Sequence, residues 1–154
     1  MLTYKILPLK TSSGSTKLKN IGVHTNHIDS QVRAINGTQG QNGDNAALLL
    51  ALAIPSSDNV VVLDQVLVDN NAPSGSNNHT ITVQADRGPA GGLVAKLYGG
   101  KIRSIQSQSL LVNGVLNSGG VVAAVLPSTD SNSVLIEDVH FSGVVRAAQD
   151  SYFP

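Results

Sequence analysis

The chain has 154 residues, enough for one domain with a hydrophobic core of its own. Ten basic and ten acidic residues give a formal net charge of zero and a charged fraction of 13%, about half the usual share. Binding driven by neutralisation of nucleic-acid phosphates is therefore not expected. The chain has no cysteine, which excludes disulfides, thiolate metal sites and a cysteine nucleophile.

Residue composition predicts an all-β protein. Hydrophobic residues make up 41% of the chain but aromatic residues only 3%, so the core must consist of Val, Leu, Ile and Ala. The remainder is rich in Gly, Ser, Asn and Thr and poor in the Glu and Lys that helices carry on their surfaces. No apolar run approaches the roughly 20 residues of a membrane-spanning helix. The N-terminal stretch also lacks the apolar segment of a secretory signal peptide.

In chain order, residues 1–17 form an N-terminal segment whose apolar residues are expected to cover the first coil. Residues 18–148 carry the repeated pattern of apolar runs and polar turns, and 149–154 form a C-terminal cap or a link to a missing segment. Tyr152 and Phe153 bring two of the five aromatic residues to that end. The longest apolar run, Ala46–Ile54, is interpreted as a strand, with a helix as the alternative because Ala and Leu favour helices.

Two stretches of the chain recur later at nearly the same offset. Leu52–Asp58 aligns with Ala124–Asp130, and Val61–Asp69 aligns with Val134–Ser142 after a one-residue slip. A shorter copy at Leu110–Ser118 divides this interval, so we interpret the interval as three coils of about 24 residues each. Such a repeat predicts a solenoid whose short strands stack in parallel on the next coil.

The coil assignment also predicts which side chains share the core. Thr80–Ala85 is a fainter copy of the same strand. One aliphatic row is therefore expected from Val62, Ile81, Leu111 and Leu135, or their immediate strand neighbours, with Val66, Val115 and Val139 nearby. A β-sandwich or jelly roll is the alternative, because it too has short strands separated by turn signals. The internal repeat favours the solenoid.

The pattern resembles a known family of folds. Val134–Gly143, with the sequence Val-Leu-Ile-Glu-Asp-Val-His-Phe-Ser-Gly, alternates with corners rich in Gly and Asn. This alternation resembles the right-handed parallel β-helix of pectate-lyase-like proteins, autotransporter passengers and phage tailspikes. The resemblance covers about residues 18–148. It implies a scaffold shared by lyases, hydrolases, adhesins and virion fibres, and therefore no single activity.

In enzymes of this kind, the resemblance implies aspartates that hold Ca²⁺ beside an Arg or Lys base, or clustered aspartates that act as acid and base. Asp64 and Glu137 would lie three coils and about 14 Å apart, too far for the carboxylate pair of a glycosidase. The charges at this corner are therefore expected to form a solvated edge. The acids considered are Asp64, Asp69, Glu137 and Asp138, and the bases are Arg103, Arg146 and His140.

The densest group of potential metal ligands is His24, His27 and Asp29. A turn would bring the two imidazoles and the carboxylate together, and this ligand set suits Zn²⁺ and similar ions. The alternative is an ordinary surface loop, which we favour, so no metal or other cofactor is expected.

Two classes of function remain open. The first is a non-catalytic structural or adhesive module of a cell surface or virion, located outside the cell and contacting a glycan or a host surface. The second is a polysaccharide lyase or hydrolase, or a fragment of one, which would need Ca²⁺ in the lyase case. Low charge and the lack of an acidic cluster favour the first, and open ends of the stack would let copies of the chain associate. Candidates for the binding face are Asp64, Asp69, Glu137, Asp138 and His140.

Overall fold

The computed structural model describes residues 14–25, 29–34, 45–54, 59–70, 80–126 and 133–147. These residues form an all-β structure, as the composition predicts, and their parallel strands build a curled sheet, which is compatible with the solenoid that the repeat predicts. The described ranges contain no helix, and so none that is long and apolar enough to cross a membrane. The segments expected to cover the two ends of the stack lie mostly or wholly outside these ranges.

The strands fall into one large sheet and two small ones. The large sheet has the order β1-β5-β9-β6-β2, with β12 also paired to β9, and the small sheets have the orders β10-β7-β3 and β11-β8-β4. The bounds are β1 Gly14–Thr25, β2 Asp29–Ala34, β3 Ala46–Ala47, β4 Leu50–Ala53, β5 Asn59–Asn70, β6 Thr80–Ala85, β7 Ala90–Gly91, β8 Val94–Leu97, β9 Gly100–Gly114, β10 Ser118–Gly119, β11 Val122–Val125 and β12 Val134–Ala147.

The chain runs through the sheets in successive passes: β1–β4 form the first, β5–β8 the second, β9–β11 the third and β12 the start of a fourth. Every strand pair in the described residues is parallel. A jelly roll is built from antiparallel strands, so the alternative of a sandwich is wrong for this part of the chain. Backbone hydrogen bonds between passes continue through the turns, for example from Leu93 N–H to the Val121 carbonyl at 3.0 Å.

The length of a pass differs from the sequence-based expectation. Asp64 lies opposite Arg103, and Arg103 lies opposite Glu137. Asp64 and Glu137, which are equivalent positions of the sequence repeat, are therefore two passes apart, and the expected division of this interval into three short coils is wrong. The reason is that Leu110–Val112, the apolar triplet interpreted as part of a separate coil, lies in the second half of β9 and pairs there with β6 and with the second half of β12.

The repeat in the small sheets is confirmed. Ala53 lies opposite Leu97, and Leu97 lies opposite Val125, the residue that the sequence repeat aligns with Ala53. Ala46–Ile54 forms the two short strands β3 and β4, so the helical alternative for this run is wrong. Its backbone groups bond to the next pass instead, as from Leu50 N–H to the Leu93 carbonyl at 3.0 Å.

Inward-facing aliphatic side chains stack in rows across the passes, about 4.8 Å apart. The single row expected from the sequence is confirmed in part: Leu63 and Ile136, the neighbours of Val62 and Leu135, share one row. Ile81 does not belong to it, because it lies opposite Leu110 in the other half of the sheet. The large sheet has separate rows in its two halves, because β9 pairs with β5 along its first half and with β6 along its second. The rows are Leu18-Leu63-Ile102-Ile136 and Ile21-Val66-Ile105-Val139 in the first half, and Val32-Val83-Val112-Val145 in the second.

Two turns between the small sheets require glycine. Gly91 of β7 and Gly119 of β10 lie opposite each other, and a Cβ atom at either would lie 1.8 Å from a carbonyl oxygen, that of Val94 or of Val122. The equivalent residue of the first pass is Ala47. The tight form of the turn therefore belongs to the second and third passes.

An ion pair joins the first two passes at the end of β2 and β6. The Arg33 guanidinium donates to both carboxylate oxygens of Asp86, from Nη2 at 2.9 Å and from Nε at 3.2 Å, and Gln84 donates to the same carboxylate at 2.8 Å. The hydrogen bonds from Arg33 hold the pKa of Asp86 below its usual range, although partial burial works in the opposite direction.

Candidate functional site

A row of alternating charges crosses the first half of the large sheet. Lys19, Asp64, Arg103 and Glu137 lie opposite one another in β1, β5, β9 and β12. The Arg103 Nη2 atom donates to Asp64 Oδ2 at 3.0 Å, and Lys19 Nζ lies 3.8 Å from the same oxygen. We call these four residues the charge row. Opposite charges meet here because parallel strands place equivalent side chains one strand spacing apart.

The burial of Asp64 corrects the expectation of a solvated edge. Its side chain is only 9% exposed, whereas those of Lys19 and Arg103 are about half exposed. The carboxylate is held between two cations, which supply the interactions that burial removes from water. Glu137 is exposed as expected. The two carboxylates lie two passes apart, about 10 Å by strand spacing, with Arg103 between them.

The chemistry of Arg103 follows from the same contacts. The hydrogen bond to Asp64 raises the pKa of Arg103 above its ordinary value, and the charges of Asp64 and Glu137 act in the same direction. An arginine whose protonated form is stabilised in this way is a poor proton acceptor. The arrangement therefore weighs against Arg103 as the base of a lyase-type reaction.

A backbone bend follows the charge row in all four passes. Asn20, Gln65, Ser104 and Asp138 have positive φ angles of 56°, 56°, 54° and 51°. Left-handed conformations are uncommon for residues other than glycine, and Gln and Ser are not among the types that favour them. Each such residue costs roughly 1 to 3 kcal/mol and persists only where the surrounding structure holds it in place. The paired residues on both sides of each bend provide that support.

A shallow pocket lies just beyond the bend on the outside of the sheet. Its volume is about 330 Å³. Three successive passes contribute to it, and the polar side chains around it offer amide, hydroxyl, carboxylate and imidazole groups to a ligand. The lining residues are Gln65, Val66 and Leu67 of β5, Ser104, Ile105 and Gln106 of β9, and Asp138 and His140 of β12.

The structure brings most of the expected binding-face residues to one region. Asp138 and His140 line the pocket, Asp64 and Glu137 belong to the adjacent charge row, and Asp69 lies further along β5 from the pocket.

Sequence reasoning missed the polar residues that complete the pocket, which are Gln65, Ser104 and Gln106. The register of β5, β9 and β12 relates Gln65 to Ser104 and Asp138, since each follows the charge-row residue of its own strand. The assumed division into three short coils concealed this relation.

The metal site considered from the sequence has no counterpart in the described residues, which contain no group of three His, Asp or Glu side chains able to hold an ion. His24 lies in β1 opposite Asp69, and Asp29 begins β2. His27 falls outside the described residues. Arg146, considered as a base, lies in the second half of β12, where its carbonyl accepts a hydrogen bond from the Ser118 hydroxyl at 2.6 Å.

Comparison with protein-family models, with curated proteins and with solved structures finds no match to this chain. The features of the chain that bear on its function are therefore the pocket, the charge row and the stacking of the strands.

Proposed function

We propose that the chain is a right-handed parallel β-helix that acts as a non-catalytic structural or adhesive module of a cell surface or virion, outside the cell. Parallel stacking of every described pass supports the β-helix, and right-handed connections are the rule between parallel strands of one sheet. The bend repeated at equivalent positions in four passes supports it further. Its partner in this proposal is a glycan, bound on the face that carries the pocket.

The pocket is the observation that carries this proposal. Gln65 and Gln106 offer amide groups that both donate and accept, Asp138 offers acceptors, and His140 offers ring nitrogens. Sugar hydroxyl groups need donors and acceptors at close spacing, and stacked strands supply them at intervals of about 4.8 Å. The pocket is open and shallow, a shape that suits a segment of a long polymer better than a small molecule enclosed for catalysis.

The charge row supports a binding role over a catalytic one. Asp64 is already neutralised by Lys19 and Arg103, so it is poorly placed to bind Ca²⁺ as the acids of a lyase would. Asp64 and Glu137 are about 10 Å apart by strand spacing, at the upper end of the range for inverting glycosidases, but Arg103 lies between them, where such an enzyme needs its sugar and attacking water.

Binding to a panel of neutral and uronate-containing oligosaccharides tests the proposal. We expect one class to bind, and His140→Ala and Gln106→Ala to weaken its binding by about tenfold. Gln31→Ala is the matched control, because Gln31 is also an exposed side chain of the large sheet but lies outside the pocket. Lack of binding by any oligosaccharide, or equal binding by all variants, would contradict the glycan proposal. Release of shortened products with added Ca²⁺ would contradict the non-catalytic role.

A further inference from the structure

The last pass exposes the side chains that fill the core in the earlier passes. Ile136, Val139 and Val145 continue the inward rows, yet each is 37% to 43% exposed. Among the described strands, β12 pairs only with β9. One backbone edge and one aliphatic face of the stack are therefore left without a neighbour in the described part of the chain, an arrangement that favours strand addition.

The two ends of the charge row carry opposite charges. Lys19 lies on β1 at one end, with a half-exposed side chain, and Glu137 lies on β12 at the other end, also exposed. Between them, Asp64 and Arg103 continue the alternation of sign. A strand that extends the row beyond β12 would need a cation opposite Glu137 to keep that alternation, and β1 carries one.

We propose that copies of this chain associate head to tail, with β12 of one copy adding in parallel to β1 of the next. In the register of the existing passes, Glu137 lies opposite Lys19 of the next copy. The same register stacks Ile136 on Leu18 and Val139 on Ile21. Each contact continues an inward aliphatic row of the first copy into the same row of the next copy. The occupant of the open end is thus a second copy of the chain, whether or not a glycan binds the pocket.

Geometry argues for this arrangement over a closed dimer. A two-fold axis between two β12 strands either reverses the second strand or turns its aliphatic face to the opposite side of the sheet, so a closed pair cannot continue the parallel inward rows. Head-to-tail contact uses two different surfaces, so nothing limits it to two copies. Assemblies are therefore expected to grow with protein concentration.

Sedimentation velocity over a range of protein concentrations tests the association. We expect wild-type chain to form a series of species larger than a dimer, and Val139→Lys to remain monomeric because a charge replaces an aliphatic contact at the interface. Leu67→Lys is the matched control, since Leu67 is also 37% exposed but lies on a middle strand. Circular dichroism establishes that each variant folds. A wild-type chain that stays monomeric up to on the order of 100 μM, or that stops at a dimer, would overturn the proposal.

Charge reversal tests the register. Glu137→Lys and Lys19→Glu should each weaken self-association by about threefold to tenfold at low salt. An equimolar mixture of the two variants offers interfaces in which opposite charges meet again, and it should assemble better than either variant alone. Lys101→Glu, a charge reversal on the middle strand β9, should not rescue Glu137→Lys. Rescue by that control, or none by Lys19→Glu, would contradict the register.

Cysteine pairs provide a measurement that does not depend on affinity. The chain has no cysteine, and equivalent Cα atoms of neighbouring strands are about 5 Å apart, within reach of a disulfide. Oxidation of a mixture of Lys19→Cys and Glu137→Cys chains should join one of each, whereas Lys101→Cys with Glu137→Cys should give no crosslink. Preferential joining of Glu137→Cys chains to each other would show a β12–β12 contact and overturn the head-to-tail arrangement.

Discussion

The third and fourth passes carry similar apolar patterns but have opposite burial. Ile102 and Ile105 of β9 are each 1% exposed, whereas Ile136 and Val139, which lie opposite them in β12, are 43% and 37% exposed. The strand β9 has neighbours on both sides, and β12 has a described neighbour on one side only. In stacked parallel strands, burial is therefore set by the next pass as much as by the residue's own direction.

The largest expected difference between the third and fourth passes comes from replacing isoleucine by alanine at two positions that lie opposite each other, one in β9 and one in β12. Ile102→Ala should lower the free energy of unfolding by about 2 to 5 kcal/mol, because it leaves a cavity between two packed passes. Ile136→Ala should lower it by about 1 kcal/mol or less, since much of that side chain is already in water. Urea unfolding at low protein concentration measures both values. Equal losses would mean that the last pass is covered as well as the third.

The first and second passes also differ at the turn between the small sheets, where the first has Ala47 and the second has Gly91. Gly91→Ala should destabilise the protein by about 1 to 3 kcal/mol, because the new Cβ atom would lie 1.8 Å from the Val94 carbonyl oxygen. The equivalent residue Ala47 already carries a Cβ atom, so Ala47→Gly should change stability by less than about 1 kcal/mol. Thermal unfolding of the two variants measures the difference. A neutral Gly91→Ala would show that this turn can relax to the form of the first pass.

The charge row gives a third comparison between a middle and an end residue. Asp64→Asn should cost about 1 to 2 kcal/mol, because it weakens a buried charge-assisted hydrogen bond while leaving Arg103 in contact with water. Glu137→Gln, at the exposed end, should change stability by about 0.5 kcal/mol or less. Denaturant unfolding at two salt concentrations measures both. A larger loss of stability for Glu137→Gln than for Asp64→Asn would contradict the greater burial of Asp64.

The smallest effect concerns Asp86, whose partner Arg33 is half exposed. Its pKa is lower in the folded chain than in the unfolded chain, where it is about 4. The resulting stabilisation is present above that unfolded value and is lost as the pH falls through the folded pKa. The difference in stability between wild type and Asp86→Asn should therefore narrow on acidification below about pH 4. A difference that stays constant with pH would contradict the lowered pKa.

The architecture was only partly predictable from the sequence. The apolar pattern predicted parallel stacking and the equivalence of Ala53 with Val125, because equivalent positions in stacked passes face the same core. It did not predict the number of passes, since Leu110–Val112 in the second half of β9 is an apolar triplet like Val61–Leu63 and Val134–Ile136, which lie in the first half of the large sheet. The number of passes depends on which strands pair with each other, and the apolar pattern of one strand does not identify its partner.

The candidate site was predictable to a similar extent. Asp138 and His140 are candidates from the sequence as an acid, a base and binding-face residues, and both line the pocket. The bend at Gln65 and Ser104 could not be read from residue type, because neither residue favours a positive φ. The burial of Asp64 depends on cations in the preceding and following passes, which are distant in the chain, so only the register reveals it.

The junction between the two halves of the large sheet has consequences for protein engineering. It is long in the second pass, between Val68 and Ile81, and short in the fourth, between Phe141 and Gly143. The strands on both sides keep the same pairing despite this difference in length. Because each doubling of a loop costs only about 0.6 kcal/mol in closure entropy, we expect the long junction of the second pass, and not the tightly packed one between Phe141 and Gly143, to accept a grafted foreign peptide.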